Sequence, residues 1–383
     1  MCAGGYGSEA CFVALAAGHY GEAEGVGHGH GIVGDGDGCV HQHGVGTHFH
    51  GFGGVRRSAE AGVNHNGRLD LARELCLAAK NAGADCVKFQ TWQTEKIITR
   101  SVAQADYQAD NTGRTESQFD MLKRLELSYD DFRAVKAYCD EIGIQFASTA
   151  DEADSLGFLL TLGIPFIKIG SGEIGNIPYL RYMGSKKKPV LLSTGMSSLA
   201  DVELSLEALR QGGAEDITLL HCTTSYPCPY DRVNLRAMDT LRAAFGLPVG
   251  YSDHTEGIAI PTAAVALGAT VIEKHFTLDR HMEGPDHLAS TEPEAFRQMV
   301  SAIRQVEAGL GSGRKTPSPE ERAISEVVLK RLVAARPIPA GTLLTADDLT
   351  VKRNDRGLSA RYWDLVIGTP ARRDYAADDA IEL

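Results

Sequence analysis

The stretch IKIGSGE, residues 167–173, decides the fold, because it passes from apolar to polar residues within one short run. It places Lys168, Ser171 and Glu173 at the end of an apolar stretch, which is the pattern of a buried strand that delivers side chains to a loop. Further runs end in the same way, namely VKFQT, FAST, LLST, LLHCTTSY, GYSDHT and IEKHFT. The repetition indicates several parallel strands whose carboxyl ends carry chemistry.

Strand-like runs alternate with helical patterns from residue 56 onward. The strand runs are ADCVKFQT, IQFAST, PFIKIGS, PVLLST, DITLLHC, PVGYSDH and TVIEKHFT, and LDLARELCLAAKNAG and SLADVELSLEALRQGG are typical helical patterns between them. Such alternation implies right-handed crossovers, and this number of units predicts closure into a (β/α)8 TIM barrel of the α/β class. The first strand has to precede EAGVNHNG, where GVRRSA is a poor strand with two adjacent arginines.

The length of 383 residues accommodates a barrel and a small appendage. We expect a Gly- and His-rich segment over residues 1–55, a catalytic barrel over 56–310, a Gly-, Pro- and Ser-rich linker over 311–325, and a small domain of mostly extended structure over 326–383. Residues 1–55 have neither strand nor helix periodicity. Disorder, or a start outside the natural coding frame, is favoured there over a metal-binding His tract.

Composition narrows the class of protein. A formal charge of -12 argues against general affinity for nucleic acid, and no apolar run approaches the roughly 20 residues that a membrane span needs. The eight cysteines form no CxxC pair, so reduced thiols and a cytoplasmic location are expected. Cys222 follows His221, where a small residue ending a buried strand is favoured over a nucleophile.

The predicted strand ends supply ammonium and hydroxyl groups. In a parallel α/β barrel these ends meet at one rim, so residues that are distant in sequence converge there. The groups concerned are those of Lys88, Thr149, Lys168, Ser171, Ser193 and Ser252. Together they predict a cradle for a phosphate or carboxylate anion.

Two histidines follow the last two predicted strands. His254 and His275 should therefore be neighbours across adjacent strands. A pair of imidazoles suits a divalent metal such as Mn²⁺, Zn²⁺ or Fe²⁺ that polarises a carbonyl group. The alternative is that each imidazole only makes hydrogen bonds within the barrel.

Carboxyl, phenol and amide groups complete the predicted site. Glu60 in EAGVNHNG and Glu173 in IKIGSGE are candidates for proton transfer, with Glu173 preferred. Asp286 and Tyr226 follow their strands closely and suit recognition of a hydroxyl-rich substrate. Gln90 shares the strand face of Lys88, because residues two apart point the same way.

The ordered motifs EAGVNHNG, VKFQT, IKIGSGE, LLSTGMSS, LLHCTTSYPCPY, GYSDHT, IEKHFT and GPDH resemble the landmarks of the N-acetylneuraminate (sialic acid) synthase family. The resemblance covers roughly residues 58–383. It includes a C-terminal segment similar to the antifreeze-like (SAF) domain of that family, with VKRNDRG at residues 351–357. Relative to the family, GVRRSA replaces the apolar first strand that stands directly before Glu60.

The resemblance implies a transferase that condenses phosphoenolpyruvate with the open-chain aldehyde of N-acetylmannosamine, giving N-acetylneuraminate and phosphate. It implies Mn²⁺, with Mg²⁺ or Co²⁺ as alternatives, held by His254 and His275. Phosphoenolpyruvate contacts are implied for Lys88, Thr149, Lys168, Ser171, Ser193 and Ser252. Sugar contacts are implied for Gln90, Asn111, Tyr226 and Asp286. Arg353 is implied to reach the active site of a partner subunit, so a domain-swapped homodimer is expected.

Other functions stay open at the level of sequence. The chain could make another nonulosonate, such as legionaminate or pseudaminate, or the 9-phosphate product of a phosphorylated sugar. A catalytically inactive binding protein with the same barrel is a second alternative, and the intact lysines, histidines and Glu173 argue against it. A synthase for a 3-deoxy sugar acid would share the anion cradle, and the appended domain argues against that reading.

Overall fold

The computed structural model describes residues 54–103 and 116–382. Within them eight parallel strands close a barrel in chain order, which confirms the predicted TIM barrel. The strands are β1 Arg56–Gly62, β2 Cys86–Thr91, β3 Gln145–Ala150, β4 Ile167–Ile169, β5 Val190–Ser193, β6 Ile217–Cys222, β7 Val249–Asp253 and β8 Val271–His275. Closure runs through β1 and β8, which pair in parallel. Residues 1–53 and the sugar-binding candidate Asn111 lie outside the described residues.

Helices follow the strands, as the alternating pattern predicts. They are α1 Leu69–Asn81, α2 Thr94–Ile97, α3 Gln118–Leu125, α4 Tyr129–Ile142, α5 Ala153–Thr161, α6 Ile177–Gly184, α7 Leu199–Gly212, α8 Ala237–Phe245, α9 Ala259–Ala266, α10 Pro293–Leu310, α11 Pro319–Val328 and α12 Trp363–Val366. The main apolar core contains outward residues of the strands and inward residues of these helices. In the described part of the chain, no helix combines the length and the apolar character of a membrane span.

The first strand forms although its sequence predicts it poorly. Arg57 is only 4% exposed, and its backbone N–H and guanidinium donate three hydrogen bonds of 2.6–2.8 Å to the carboxylate of Asp85. The bidentate pair satisfies a charge that would otherwise oppose burial. Ala59 and Ala61 of the same strand are fully buried. An arginine that is unexpected in a buried strand is therefore accommodated by Asp85, which directly precedes the neighbouring strand.

The interior of the barrel is layered. An apolar cluster fills one level and consists of Cys86, Ala147, Phe166, Leu191, Leu220 and Val271. Because side chains two apart on a strand point the same way, the next inward level is occupied by the residues two positions later. These are Lys88, Thr149, Lys168, Ser193, Cys222 and Glu273. The apolar layer thus supports a polar layer at the carboxyl ends of the strands.

The C-terminal segment has a separate apolar core, which includes Leu332, Ile338 and Leu349. Its strands β9 Lys330–Ala334 and β10 Leu349–Arg353 form an antiparallel pair. Isolated antiparallel bridges join Val333 to Ala380, Ile338 to Tyr375 and Leu343 to Pro370. These features confirm the predicted small, mostly extended domain.

Candidate active site

A cavity of about 190 Å³ opens at the carboxyl ends of the barrel strands. This is the rim at which TIM barrels carry their active sites. The sequence-predicted residues that line it are Glu60, Lys88, Gln90, Thr149, Lys168, Ser171, Ser193, Tyr226, Ser252, His254 and His275. The strand ends identified in the sequence therefore converge on one space.

Two lysines and two glutamates alternate on the floor of the cavity, and all four are buried. Lys88 pairs with Glu60, and its ammonium donates a 3.0 Å hydrogen bond to the hydroxyl of Thr149. Glu273 lies between the two lysines, with its carboxylate 3.7 Å from Nζ of Lys88 and 3.3 Å from Nζ of Lys168. The shared carboxylate holds both ammonium groups close together.

Hydroxyl groups surround this charged floor. Lys168 donates a 2.8 Å hydrogen bond to Ser193, and Ser252 donates one of 2.8 Å to Glu273. The hydroxyl of Ser171 accepts a 3.0 Å hydrogen bond from the backbone N–H of Gly195. A Cβ atom at Gly195 would lie 2.8 Å from that hydroxyl, so the close approach requires glycine. Ammonium groups and hydroxyls facing one cavity suit a small polyanion.

The two floor carboxylates differ in acidity. Burial raises the pKa of Glu60 to about 7, and the charge of Glu273 adds to that shift, while Lys88 opposes it. Burial alone would raise the pKa of Glu273 as well, but Lys168 and Lys88 hold that pKa well below its usual range. The lysines therefore favour the ionised form of Glu273 at neutral pH, and the raised pKa of Glu60 suits proton exchange near neutral pH.

The predicted imidazoles are neighbours. The ring centroids of His254 and His275 are 5.2 Å apart, and the ring of Tyr226 packs 4.2 Å from the first and 5.4 Å from the second. Nδ1 of His254 donates a 2.7 Å hydrogen bond to the carbonyl oxygen of Thr223, and the side chain of Cys222 also hydrogen-bonds this imidazole. Nδ1 of His275 is buried and makes no hydrogen bond.

These two imidazoles fit a divalent metal. A backbone carbonyl orients one of them, and the other presents a buried nitrogen without a hydrogen-bond partner, as a ligand position requires. Residues 54–103 and 116–382 contain no group of three or more His, Cys, Asp or Glu side chains arranged to hold a metal. A metal here would therefore have two protein ligands and several positions for water and substrate.

Asp286 lies beside the cavity without lining it. Its carboxylate is 3.7 Å from Nδ1 of His275, and burial raises its pKa to about 6. A Cβ atom built on Gly62 would contact the side chains of Glu60, Gln90 and Asp286, at 3.2, 3.7 and 3.9 Å. These three polar groups thus surround a glycine of the bulge that ends β1.

Two predicted residues point elsewhere. Glu173 ends a one-turn 3-10 helix, Ser171–Glu173, and its carboxylate accepts a 2.6 Å hydrogen bond from the amide of Asn176 rather than lining the cavity. Arg353 is exposed at the end of β10 and does not line the cavity of its own chain. The roles predicted for both residues stay predictions.

Three further ionisable side chains line the cavity. The sequence analysis did not identify the carboxylates of Glu273 and Asp151, and it interpreted Cys222 as a structural residue. Glu273 was detectable, because it stands two positions after the inward residue Val271. Burial raises the pKa of Asp151 to about 7, and the charge of the nearby Glu173 adds to the shift. Asp151 therefore brings a second protonatable carboxyl group to the site.

Comparisons with known proteins agree with this geometry. The profile of the NeuB family matches residues 75–315, and that of the SAF domain matches residues 331–382. The chain is 44% identical to an N,N'-diacetyllegionaminic acid synthase of Legionella pneumophila, over 81% of this chain and 88% of that protein. It is 40% identical to the human N-acetylneuraminate-9-phosphate synthase, over 77% of this chain and 82% of that protein.

A solved structure of a protein with a related name also resembles this chain. The N-acetylneuraminic acid (sialic acid) synthetase from Leptospira borgpetersenii, in complex with citrate, superimposes with a TM-score of 0.63 at 32% identity. The match covers 71% of this chain and 90% of that one. The fold, the second domain and the extent of similarity lead to one conclusion: the chain belongs to the NeuB family.

Proposed function

We propose that this chain condenses phosphoenolpyruvate with the open-chain aldehyde of a 2-acetamido sugar, giving a nine-carbon 2-keto acid and phosphate. One observation carries the proposal: Lys88 and Lys168 share Glu273 on the floor of a cavity that also contains the imidazoles of His254 and His275. The names of the relatives support the same class of reaction. The test is sugar-dependent release of phosphate from phosphoenolpyruvate by the purified chain.

The donor would bind over the lysine floor. Two ammonium groups offset its phosphate and carboxylate charges, while the hydroxyls of Thr149, Ser193 and Ser252 offer further hydrogen bonds. These groups are already held in place by Glu273 and by one another, so little reorganisation accompanies binding. Their contribution is positioning and electrostatic stabilisation rather than covalent catalysis.

The aldehyde would bind beside the imidazoles. His254 and His275 would hold a divalent metal, Mn²⁺ or alternatively Mg²⁺ or Co²⁺, which supplies Lewis-acid polarisation of the carbonyl oxygen when bound. Gln90, Tyr226 and Asp286 surround the same side and suit the hydroxyl groups of a sugar. Binding on this side would bring the aldehyde carbon against C3 of the donor.

The reaction requires three proton transfers. C3 of the enol phosphate attacks the aldehyde, whose oxygen gains a proton. Water then adds to C2 and loses a proton, and the resulting C2 hydroxyl gives its proton to the departing phosphate as the C2–O bond to phosphate breaks and the ketone forms. We assign the water proton to Glu60, because this carboxyl group is on the donor side beside Lys88 and exchanges protons near neutral pH. We assign protonation of the aldehyde oxygen to Glu173, whose loop is at the rim of the cavity next to Ser171.

Glu173→Gln should retain substrate binding and lose turnover by about 10²–10⁴-fold, the usual contribution of a positioned acid or base. The carboxylate of Glu173 has to turn toward the bound substrate, because in the structure it accepts a hydrogen bond from the amide of Asn176. A coupled phosphate-release assay gives kcat, and calorimetry gives the affinity for phosphoenolpyruvate. Glu203→Gln, on the exposed face of α7, is the matched control. Near-normal turnover of Glu173→Gln would refute the role.

The finer assignment of the sugar is N-acetylmannosamine, giving N-acetylneuraminate. A second candidate is a 6-deoxy 2,4-diacetamido sugar, which the names of two relatives at 44% and 45% identity favour. A third is N-acetylmannosamine 6-phosphate, which would give a 9-phosphate product. Comparing kcat/KM for the three sugars under the same conditions decides among them, because the preferred substrate should exceed the others by at least about tenfold.

We propose that Arg353 acts in the cavity of a second copy of the chain, within a domain-swapped homodimer. Its exposure at the end of β10 leaves the guanidinium free to reach a neighbouring molecule. Arg353→Ala and Lys168→Met should each be inactive alone. Mixing them in equal amounts should restore about a quarter of wild-type activity, since random exchange makes about half of the dimers mixed and one of the two sites in each mixed dimer is intact. Failure of the mixture to recover activity, although subunit exchange is demonstrated, would contradict the shared site.

A further inference from the structure

A buried ion pair lies next to the two imidazoles and takes no part in lining the cavity. The side chains of Lys274 and Asp253 are both 0% exposed, with Nζ and Oδ2 2.6 Å apart. The ammonium also donates a 2.8 Å hydrogen bond to the carbonyl oxygen of Thr255. The other oxygen of Asp253 accepts hydrogen bonds from the hydroxyl of Tyr251 at 3.0 Å and from the N–H and hydroxyl of Thr255 at 3.0 and 2.9 Å.

The pair is connected to both imidazoles through the chain. Asp253 and Thr255 stand on either side of His254, and the ammonium of Lys274 contacts both of them. Lys274 directly precedes His275, and it is the register partner of Asp253 across β7 and β8. One ammonium group therefore ties the backbone around the first imidazole to the residue before the second.

Stability alone does not account for this pair. Burying two opposite charges is often no better than packing two apolar side chains of similar volume, because both charges lose their hydration. Elsewhere on β7 and β8, outward positions such as Tyr251 and Ile272 are occupied by apolar or aromatic side chains. The charged pair occurs at the one level that adjoins both histidines, and it fixes the relative position of two strand ends.

We propose that Lys274 and Asp253 are positioning residues that hold the imidazoles of His254 and His275 at the separation a divalent metal requires. This inference rests on the metal site of the proposed function. The network sets where the ligands stand, and it does not contact the substrate cavity. Its loss should weaken metal binding more than it weakens the fold.

The test is the paired substitution Asp253→Asn with Lys274→Gln in the full chain. The amides keep hydrogen-bonding groups at both positions and leave no unpaired buried charge, so the fold should survive. The affinity for Mn²⁺ is measured from the electron paramagnetic resonance signal of the free ion, at a temperature at which circular dichroism shows both proteins folded. The expected result is a loss of Mn²⁺ affinity of about 10- to 100-fold, the usual effect of disturbing groups that orient metal ligands.

A matched control disturbs a different buried pair. Asp85→Asn removes the charge that neutralises Arg57. Both residues lie at the amino-terminal ends of β1 and β2, away from the cavity at the carboxyl ends. It should lower the unfolding temperature and leave Mn²⁺ affinity within about twofold of the wild type, since it is remote from the ligands. Unchanged Mn²⁺ affinity in the paired variant, or an equal loss in Asp85→Asn, would overturn the inference. A wild-type chain that binds none of Mn²⁺, Mg²⁺ and Co²⁺ would refute the metal site itself, and the positioning role with it.

Discussion

Replacing Lys168 by methionine should lower kcat/KM for phosphoenolpyruvate by about 10²–10³-fold, as does loss of one preorganised electrostatic contact in other enzymes. The substitution removes the ammonium that contacts Ser193 and Glu273. A donor with several negative charges would then meet a floor whose remaining cation is Lys88, with Glu60 and Glu273 beside it. Steady-state phosphate release at varied phosphoenolpyruvate measures the loss.

The control for this substitution is Lys315→Met, which removes an exposed lysine from the segment between α10 and α11. Its kcat/KM should equal that of the wild type. We expect Lys168→Met to stay folded, because Glu273 keeps Lys88 and Ser252 as partners. A thermal unfolding curve checks that the variant is folded at the assay temperature. If a folded Lys168→Met retains more than about a tenth of wild-type kcat/KM, the lysine floor is not the donor site.

Glu60→Gln should lower turnover by about 10²–10⁴-fold, because a carboxyl group that transfers a proton is replaced by an amide that does not. The change is isosteric, and Lys88 keeps Thr149 and Glu273 as partners, so the barrel should remain folded. Burial raises the pKa of Glu60 to about 7 in the free protein. As a base it is active when ionised, so wild-type kcat/KM should rise with pH through this region.

The pH profile separates a catalytic role of Glu60 from a structural one. In Glu60→Gln the rise through about pH 7 should disappear, while Glu203→Gln should keep both the rise and the rate. Comparable unfolding temperatures of the three proteins exclude a loss of fold. Persistence of the rise in a poorly active Glu60→Gln would assign the titration to another group, for which Asp151 is the nearest alternative.

Most of the barrel was predictable from the sequence, since β2–β8 are short apolar runs that end in polar residues. The first strand was not predictable, because the buried charge of Arg57 is neutralised by a carboxylate that stands 28 positions later in the chain. Local hydrophobicity contains no information about that partner. The alignment of β1 beside β2 brings Asp85 next to Arg57, and the backbone N–H of Asp85 donates a 3.0 Å hydrogen bond to the carbonyl oxygen of Arg57.

The site was predictable where residue type and strand position coincide. Lys88, Lys168 and the two histidines stand at strand ends and converge as expected. Glu273 was not predicted, because in IEKHFT the histidine was taken as the functional residue. The alternation of inward residues along β8 nevertheless puts Glu273 in the same polar layer as the two lysines. The orientation of Glu173 was beyond the sequence, since it depends on a one-turn helix and on Asn176.

The decisive measurement is the stoichiometry of products when the full chain is incubated with phosphoenolpyruvate, Mn²⁺ and each candidate sugar. Mass spectrometry of the organic product is combined with a phosphate assay. We expect one phosphate for each molecule of a keto acid whose mass equals that of the sugar plus pyruvic acid, and none of either when the sugar is omitted. Free pyruvate as the sole organic product, or phosphate release that ignores the sugar, would contradict carbon–carbon bond formation in this cavity.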